Sequence, residues 1–126
     1  MKRTLLFFFL SILFFAPARA QQGSRLKRIY FNLYTDSLKP VLNYYVNVEG
    51  EFANGRFLPL DTNDVTLTCD HGTLAGMEWV IPKTPVDYPC ITFRVISKTN
   101  PALRDSVTIF IQRRKDPEDE AIMRSR

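Results

Sequence analysis

Residues 64–82, DVTLTCDHGTLAGMEWVIP, decide the fold of this protein. Apolar and polar side chains alternate over Val65–Cys69 and again over residues 77–81, which is the period of a strand with one buried face. The segment DHG between the two runs consists of turn-forming residues. The second run contains Trp79, the only tryptophan of the chain. We therefore predict a hairpin of two strands that supplies the centre of the hydrophobic core.

The same alternation recurs along the rest of the chain between turn signals. It predicts further strands at residues 29–34, 42–52, 56–60, 91–95 and 107–111. The pair Asn54-Gly55 predicts a two-residue type I′ turn, because both residues tolerate a positive φ. Pro59 places the strand after that turn at a sheet edge or ends it early. About seven short strands with regularly spaced turns are typical of an all-β sandwich.

The N-terminus has the pattern of a secretory signal peptide. Lys2 and Arg3 precede an apolar run over residues 5–15, which is shorter than the ~20 residues of a membrane helix. Ala18 and Ala20 are small residues at the positions that a signal peptidase reads. We expect residues 1–20 to be cleaved and the mature chain, without a transmembrane helix, to reach a bacterial periplasm or the exterior. The alternative is an uncleaved N-terminal anchor.

Cleavage would leave 106 of the 126 residues, the size of one domain. We divide this mature chain into a polar arm at residues 21–28, the sandwich at 29–112 and a charged tail at 113–126. The tail is expected to be flexible or to form a short, frayed helix. Loss of Lys2, Arg3 and Arg19 lowers the formal net charge from +4 to +1. That balance gives no reason to expect a nucleic-acid partner.

Two cysteines, Cys69 and Cys90, remain in the mature chain. In an oxidising compartment such a pair predicts a disulfide. Cys69 shares the inward parity of Val65, whereas Cys90 has the opposite parity to the inward-facing Ile91. Cys90 follows Pro89 at the start of its strand and need not obey that alternation, so the disulfide stays the prediction. The alternative is therefore two separate thiols, one of them buried and inert.

Two clusters carry side chains that can do chemistry. Cys69-Asp70-His71 offers a thiol and an imidazole for a nucleophile or a metal site, but turn residues break the required geometry. Glu49 and Glu51 lie about 7 Å apart on one strand face, within the range of an inverting glycosidase pair. Such a pair also needs a cleft, and we interpret these residues as a solvated strand face. We predict no catalytic residue, cofactor or metal site.

A set of tyrosines and asparagines shares the outward parity of two predicted strands. We call this set the tyrosine–asparagine face; its members are Tyr30, Asn32, Tyr34, Tyr45 and Asn47. Tyrosine provides rigid contact area that is apolar on its ring and polar at its hydroxyl. The face is therefore a candidate surface for a protein partner or a glycan. The alternative is that these rings simply cover the wet side of a sheet.

Residues 42–112 resemble the bacterial immunoglobulin-like domains of invasin-type surface proteins. The features shared are Val65-Thr66, Gly72, Trp79, Pro82 and Val107-Thr108-Ile109. The resemblance implies an immunoglobulin-like antiparallel β-sandwich that serves adhesion, spacing or assembly at the cell envelope, not catalysis. The expected function is a non-enzymatic envelope module that binds another exported protein as an accessory subunit or small adhesin. A carbohydrate-binding module is the alternative.

Overall fold

The computed structural model describes residues 24–113 and 117–125, so the predicted signal peptide at residues 1–20 lies outside the described residues. The described chain forms ten strands and one helix. They are β1 (Leu26–Phe31), β2 (Ser37–Leu38), β3 (Tyr44–Tyr45), β4 (Val48–Phe52), β5 (Phe57–Leu60), β6 (Val65–Cys69), β7 (Thr73–Ala75), β8 (Glu78–Val80), β9 (Cys90–Ser97), β10 (Arg104–Ile111) and α1 (Pro117–Arg124). The prediction of an all-β fold is confirmed.

The strands form three sheets, with the orders β1-β4-β5, β2-β10-β9-β6 and β3-β8-β7. All neighbours are antiparallel except β2, which runs parallel to β10. The single strand predicted over residues 42–52 is interrupted and forms β3 and β4. The N–H of Val46 nevertheless donates to the C=O of Met77 at 2.8 Å, and the N–H of Asn32 to the C=O of Asn47 at 3.0 Å. The first bond extends the β3–β8 pair and the second extends the β1–β4 pair, so residues 44–52 run from the third sheet into the first.

The core lies where the four-stranded sheet meets the other two. Alternation along β9 and β10 turns every second side chain inward, and these side chains meet apolar side chains from β1, β4 and β8. The fully buried apolar members are Leu38, Val46, Val48, Val65, Trp79, Ile91, Phe93, Val95 and Ile109. Trp79 is the largest of them and is 0% exposed, which confirms its predicted place in the core.

The predicted central hairpin is wrong. β6 pairs with β9, whereas β8 pairs with β7 and β3, so the two predicted partners belong to different sheets. The true hairpin is β7–β8, because residues 73–75 form a strand that sequence periodicity did not reveal. The DHG turn instead carries the chain between sheets: Gly72 has φ +82°, and the indole N–H of Trp79 donates to the C=O of His71 at 3.1 Å.

Asn54-Gly55 does close a hairpin, between β4 and β5, but with a different turn. No described residue other than glycine has a positive φ, so Asn54 cannot complete a type I′ turn. The N–H of Gly55 donates to the C=O of Phe52 at 2.9 Å, and the N–H of Phe52 to the C=O of Arg56 at 2.9 Å. The loop therefore has three residues and ends with Gly55 in the left-handed region. β5 lies at a sheet edge, as Pro59 predicted.

Both ends of the described chain contain regular secondary structure. β1 begins at Leu26, within the predicted polar arm, and ends at Phe31 instead of residue 34. The tail, predicted to be flexible or to form a short, frayed helix, contains the helix α1, which has Pro117 at its start, three acidic residues in its first turn and Arg124 in its last. Asp119 is 4% exposed and lies 3.5 Å from the Lys39 ammonium, which connects the helix to the segment that follows β2. None of the described helical residues form a segment long and apolar enough to cross a membrane.

Candidate functional site

The tyrosine–asparagine face is built where β1 runs antiparallel to β4. Tyr30 lies opposite Glu49 in the ladder, and the next bond, from Asn32 to Asn47, continues that register beyond both strands. Residues two apart on a strand share a face, so these four side chains project from the same side of the sheet. The sequence predicted this shared side from parity alone.

Glu49 holds the polar side chains of the face together. Its Oε2 accepts a hydrogen bond from the Tyr30 hydroxyl at 2.8 Å, and its Oε1 accepts one from Nδ2 of Asn32 at 2.7 Å. Nδ2 of Asn47 in turn donates to the C=O of Asn32 at 3.2 Å. The bonds from Asn32 and then Tyr30 lower the pKa of Glu49, and the bond to Glu49 raises the pKa of Tyr30. The network therefore holds the Tyr30 ring and the Asn32 amide against an ionised carboxylate.

A depression of about 350 Å³ lies beside this network. It is lined by Asn32, Leu33, Tyr34, Thr35, Tyr44, Tyr45 and Asn47, which include four of the five predicted members of the face. Tyr34 is 94% exposed and Tyr45 is 56% exposed, so two rings stand free at its rim. Tyr44, which also lines the depression, is half-buried against the core, and burial raises its pKa. The structure thus brings the predicted residues together, with Tyr30 adjacent.

Side chains from β1 and β5 extend the surface away from the depression. The Arg28 guanidinium lies 4.8 Å from the centre of the Tyr30 ring, and its Nε donates to Oε2 of Glu51 at 2.9 Å. Phe57 meets Tyr30 edge to face, with ring centres 6.4 Å apart, and remains 52% exposed. Phe57 was not among the predicted members, because the predicted two-residue turn would place it opposite Phe52. The three-residue loop places it opposite Glu51 instead, on this side of the sheet.

The two carboxylates weighed as a glycosidase pair are engaged in other contacts. Glu49 accepts the two side-chain hydrogen bonds described above, and Glu51 is paired with Arg28 and, at 3.8 Å, with Lys27. Lowering the pKa of Glu49 favours the ionised form, which cannot donate a proton as a general acid. The arrangement is suited to contact with a ligand through rings and amides.

The Cys69-Asp70-His71 cluster does not converge on one point. The thiol of Cys69 donates to the C=O of Gly72 at 3.8 Å, and Oδ1 of Asp70 accepts the N–H of Thr92 at 2.8 Å. The His71 ring stacks on Tyr88, with ring centres 4.3 Å apart. Burial, followed by the nearby Asp70 charge, raises the pKa of Cys69 and keeps it a thiol. Across residues 24–113 and 117–125, no three His, Cys, Asp or Glu side chains group as a metal site.

Cys69 and Cys90 are free thiols, which corrects the predicted disulfide. Cys69 lies opposite Phe93, which is fully buried, so its side chain is on the inner face of the sheet. Cys90 lies opposite Phe110, which is 60% exposed, so its side chain is on the outer face. A disulfide cannot join two side chains through the thickness of one sheet without displacing the backbone. The opposite parity seen in the sequence was the decisive signal.

Comparison with models of known protein families finds no match for this chain, and comparison with curated proteins finds no significant match. The site itself is a surface of exposed rings beside a hydrogen-bonded network. The rings are Tyr34, Tyr45 and Phe57, and the network consists of Tyr30, Asn32, Asn47 and Glu49.

Proposed function

We propose that this protein is an exported, non-enzymatic binding module of the cell envelope that associates with another exported protein through the tyrosine–asparagine face. One observation supports the proposal above all. Large aromatic side chains remain exposed beside a network that fixes their surroundings. Aromatic residues are enriched at the centres of protein interfaces, and a surface that is already ordered loses less entropy on binding.

The strand arrangement supports an immunoglobulin-like sandwich as the scaffold. In constant-type immunoglobulin domains, the first, second, fifth and fourth strands form one sheet, and the third, sixth and seventh form the other. With β3 and β4 counted as the second strand, β1, β4, β8 and β7 follow the first order and β6, β9 and β10 the second. β5 is then an added strand, and β2 extends the second sheet. Such domains serve mainly as recognition and assembly modules, although fold alone does not fix function.

The exposed rings supply the contact area that a partner would cover. Tyr34 and Tyr45 flank the depression, and Phe57 lies beyond Tyr30 on the same side. Burying a single aromatic side chain removes about 150–250 Å² from water, so three rings can form the centre of a small interface. The surrounding amides provide donors and acceptors at its rim.

The test is capture of the partner by cross-linking in intact cells, using the tagged protein and variants of the face. We expect one dominant exported protein to be captured, and its yield to fall in Tyr34→Ala and Tyr45→Ala. Phe110→Ala is the matched control, because Phe110 is 60% exposed on the outer face of the other sheet. Equal yields from all three variants, or no exported protein in the captured material, would contradict the proposal.

A carbohydrate-binding module is the second candidate, favoured by the depression itself. Two free tyrosine rings can stack on the apolar face of a sugar, and the amides of Asn32 and Asn47 can bond its hydroxyls. Titration of the protein with envelope glycans would then show saturable binding that Tyr45→Ala abolishes. Unchanged affinity in that variant would exclude the glycan assignment.

A further inference from the structure

Within the described residues, β6 forms one edge of the four-stranded sheet and pairs with β9 alone. On an edge strand, alternate residues direct their N–H and C=O groups away from the sheet. The C=O of Asp64 accepts from Lys98, and the N–H of Asp70 donates to Thr92, so the even-numbered residues face β9. Leu67 and Cys69 therefore direct both backbone groups outward. The N–H of Val65 also points away, and the C=O of Asp61 accepts it at 3.0 Å.

The other described edges are protected or short. On β5 the same alternation turns Phe57 and Pro59 outward, and proline has no N–H to offer. On β1 the outward N–H of Phe31 is capped by the Asp105 carboxylate at 3.1 Å. β2 and β3 have two residues each, and β7 has three. Among the described strands, β6 is thus the longest edge without a proline or a side-chain cap.

The charges around β6 indicate which strand could pair with it. Asp64 and Asp70 are exposed at its two ends, and Thr66 and Thr68 between them are uncharged. Each carboxylate accepts a backbone N–H, and no described Lys or Arg forms an ion pair with either. A second copy paired antiparallel about Leu67 would place Asp64 opposite Asp70, which is destabilising. The edge therefore favours a different polypeptide with cationic ends.

We propose that the β6 edge accepts an extended segment of another polypeptide as an added antiparallel strand. In that segment apolar residues alternate inward, and two cationic residues (Lys or Arg) six positions apart lie opposite Asp70 and Asp64. The outward groups of Leu67 and Cys69 supply the backbone hydrogen bonds, and the two aspartates select the charge. This surface is separate from the tyrosine–asparagine face and does not depend on the function proposed for it.

The probe is the synthetic peptide KVTVTVK, whose central valine would lie opposite Leu67 and whose lysines would lie opposite the two aspartates. Titrated into isotope-labelled protein, it should shift the amide signals of Leu67 and Cys69 in nuclear magnetic resonance spectra. The matched peptide EVTVTVE should bind on the order of tenfold more weakly. KVTPTVK lacks the N–H that would donate to the C=O of Leu67 and should not bind.

Variants of the protein test the same contacts from the other side. Asp64→Asn combined with Asp70→Asn keeps an oxygen for each internal hydrogen bond but removes the charge, so KVTVTVK should lose its advantage over EVTVTVE. Asp36→Asn is the control, because Asp36 is an exposed carboxylate beside β2 at the opposite edge. Tyr45→Ala should leave peptide binding unchanged. Absence of binding, equal binding of the proline peptide, or shifts centred on β5 or the tyrosine–asparagine face would overturn the proposal.

Discussion

Gly72→Ala should destabilise the protein far more than an equivalent change at another turn. Gly72 has φ +82°, and a Cβ atom added to it would lie 2.3 Å from Nε1 and 2.8 Å from Cε2 of Trp79. The indole ring is 0% exposed and packed on all sides, and its N–H donates to the C=O of His71. The ring cannot move aside without breaking that hydrogen bond and disturbing the core.

The expected cost has three parts. A residue with a Cβ atom in the left-handed region costs roughly 1–2 kcal/mol. Forcing an extra carbon into a packed core costs about 1–3 kcal/mol, and leaving the buried indole N–H unpaired costs about 1–3 kcal/mol. Because the clash and the lost bond overlap, we expect a total of roughly 3–5 kcal/mol. That is a large share of the ~5–15 kcal/mol by which domains are stable.

Gly55→Ala is the matched control. Gly55 has the same φ of +82°, but a Cβ atom there would meet nothing within 4 Å. Its cost should be limited to the conformational part, roughly 1–2 kcal/mol. The difference between the two variants therefore isolates the contact with Trp79.

Urea unfolding followed by the fluorescence of the single tryptophan measures both free energies of unfolding. The expected result is that Gly72→Ala falls at least about 2 kcal/mol below Gly55→Ala. Equal destabilisation by the two substitutions would refute the reasoning, because it would mean that the Trp79 ring does not pack against Gly72.

Three further outcomes follow from the structure. Hydrogen bonds from Asn32 and Tyr30 lower the pKa of Glu49, so the ionised carboxylate stabilises the fold above its ordinary pKa of about 4.3, and this stability is lost as the pH falls through the lowered value. Glu49→Gln should therefore make the free energy of unfolding depend less steeply on pH in the acid range. An unchanged slope would contradict this. Thiol titration of the native protein should detect two free thiols, and Cys69 should react slowly because burial raises its pKa. A mass spectrum in which the protein has lost two hydrogens would instead indicate a disulfide. Asp119→Asn should speed amide hydrogen exchange across Pro117–Arg124 while the strands stay protected, and equal exchange in both proteins would show that the contact with Lys39 does not hold α1.

The strands could be predicted because their information is local. Alternation over Val65–Cys69 and in β9 and β10 follows from the geometry of a single chain segment, and the structure buries the predicted side of each. The hairpin at Asn54-Gly55 was predictable for the same reason. Its turn type was not, because Asn54 can be a turn residue with either sign of φ, and the register of β4 against β5 decided between them.

The sequence predicted which residues form the candidate site, but not the side-chain contacts that hold them together. Parity placed Tyr30, Asn32, Tyr45 and Asn47 on one side, and the structure brings them together. Glu49 shares that parity, yet its role depends on lying opposite Tyr30, which is a fact about strand register. Phe57 joins the surface only because β5 pairs with β4.

The class of secondary structure, the inward side of β6, β9 and β10 and the burial of Trp79 follow from the sequence alone, since each depends on neighbours along the chain. Which strands pair is settled by the tertiary structure. Val65–Cys69 could have formed a hairpin with the strand that contains Trp79, but it pairs instead with β9, while the short strand at residues 73–75 takes the place beside β8. Strand pairing depends on contacts between residues that are distant in sequence, and the pairing that forms is the one that buries the apolar faces of all the sheets together. The residue pattern within one segment cannot distinguish that pairing from its alternatives.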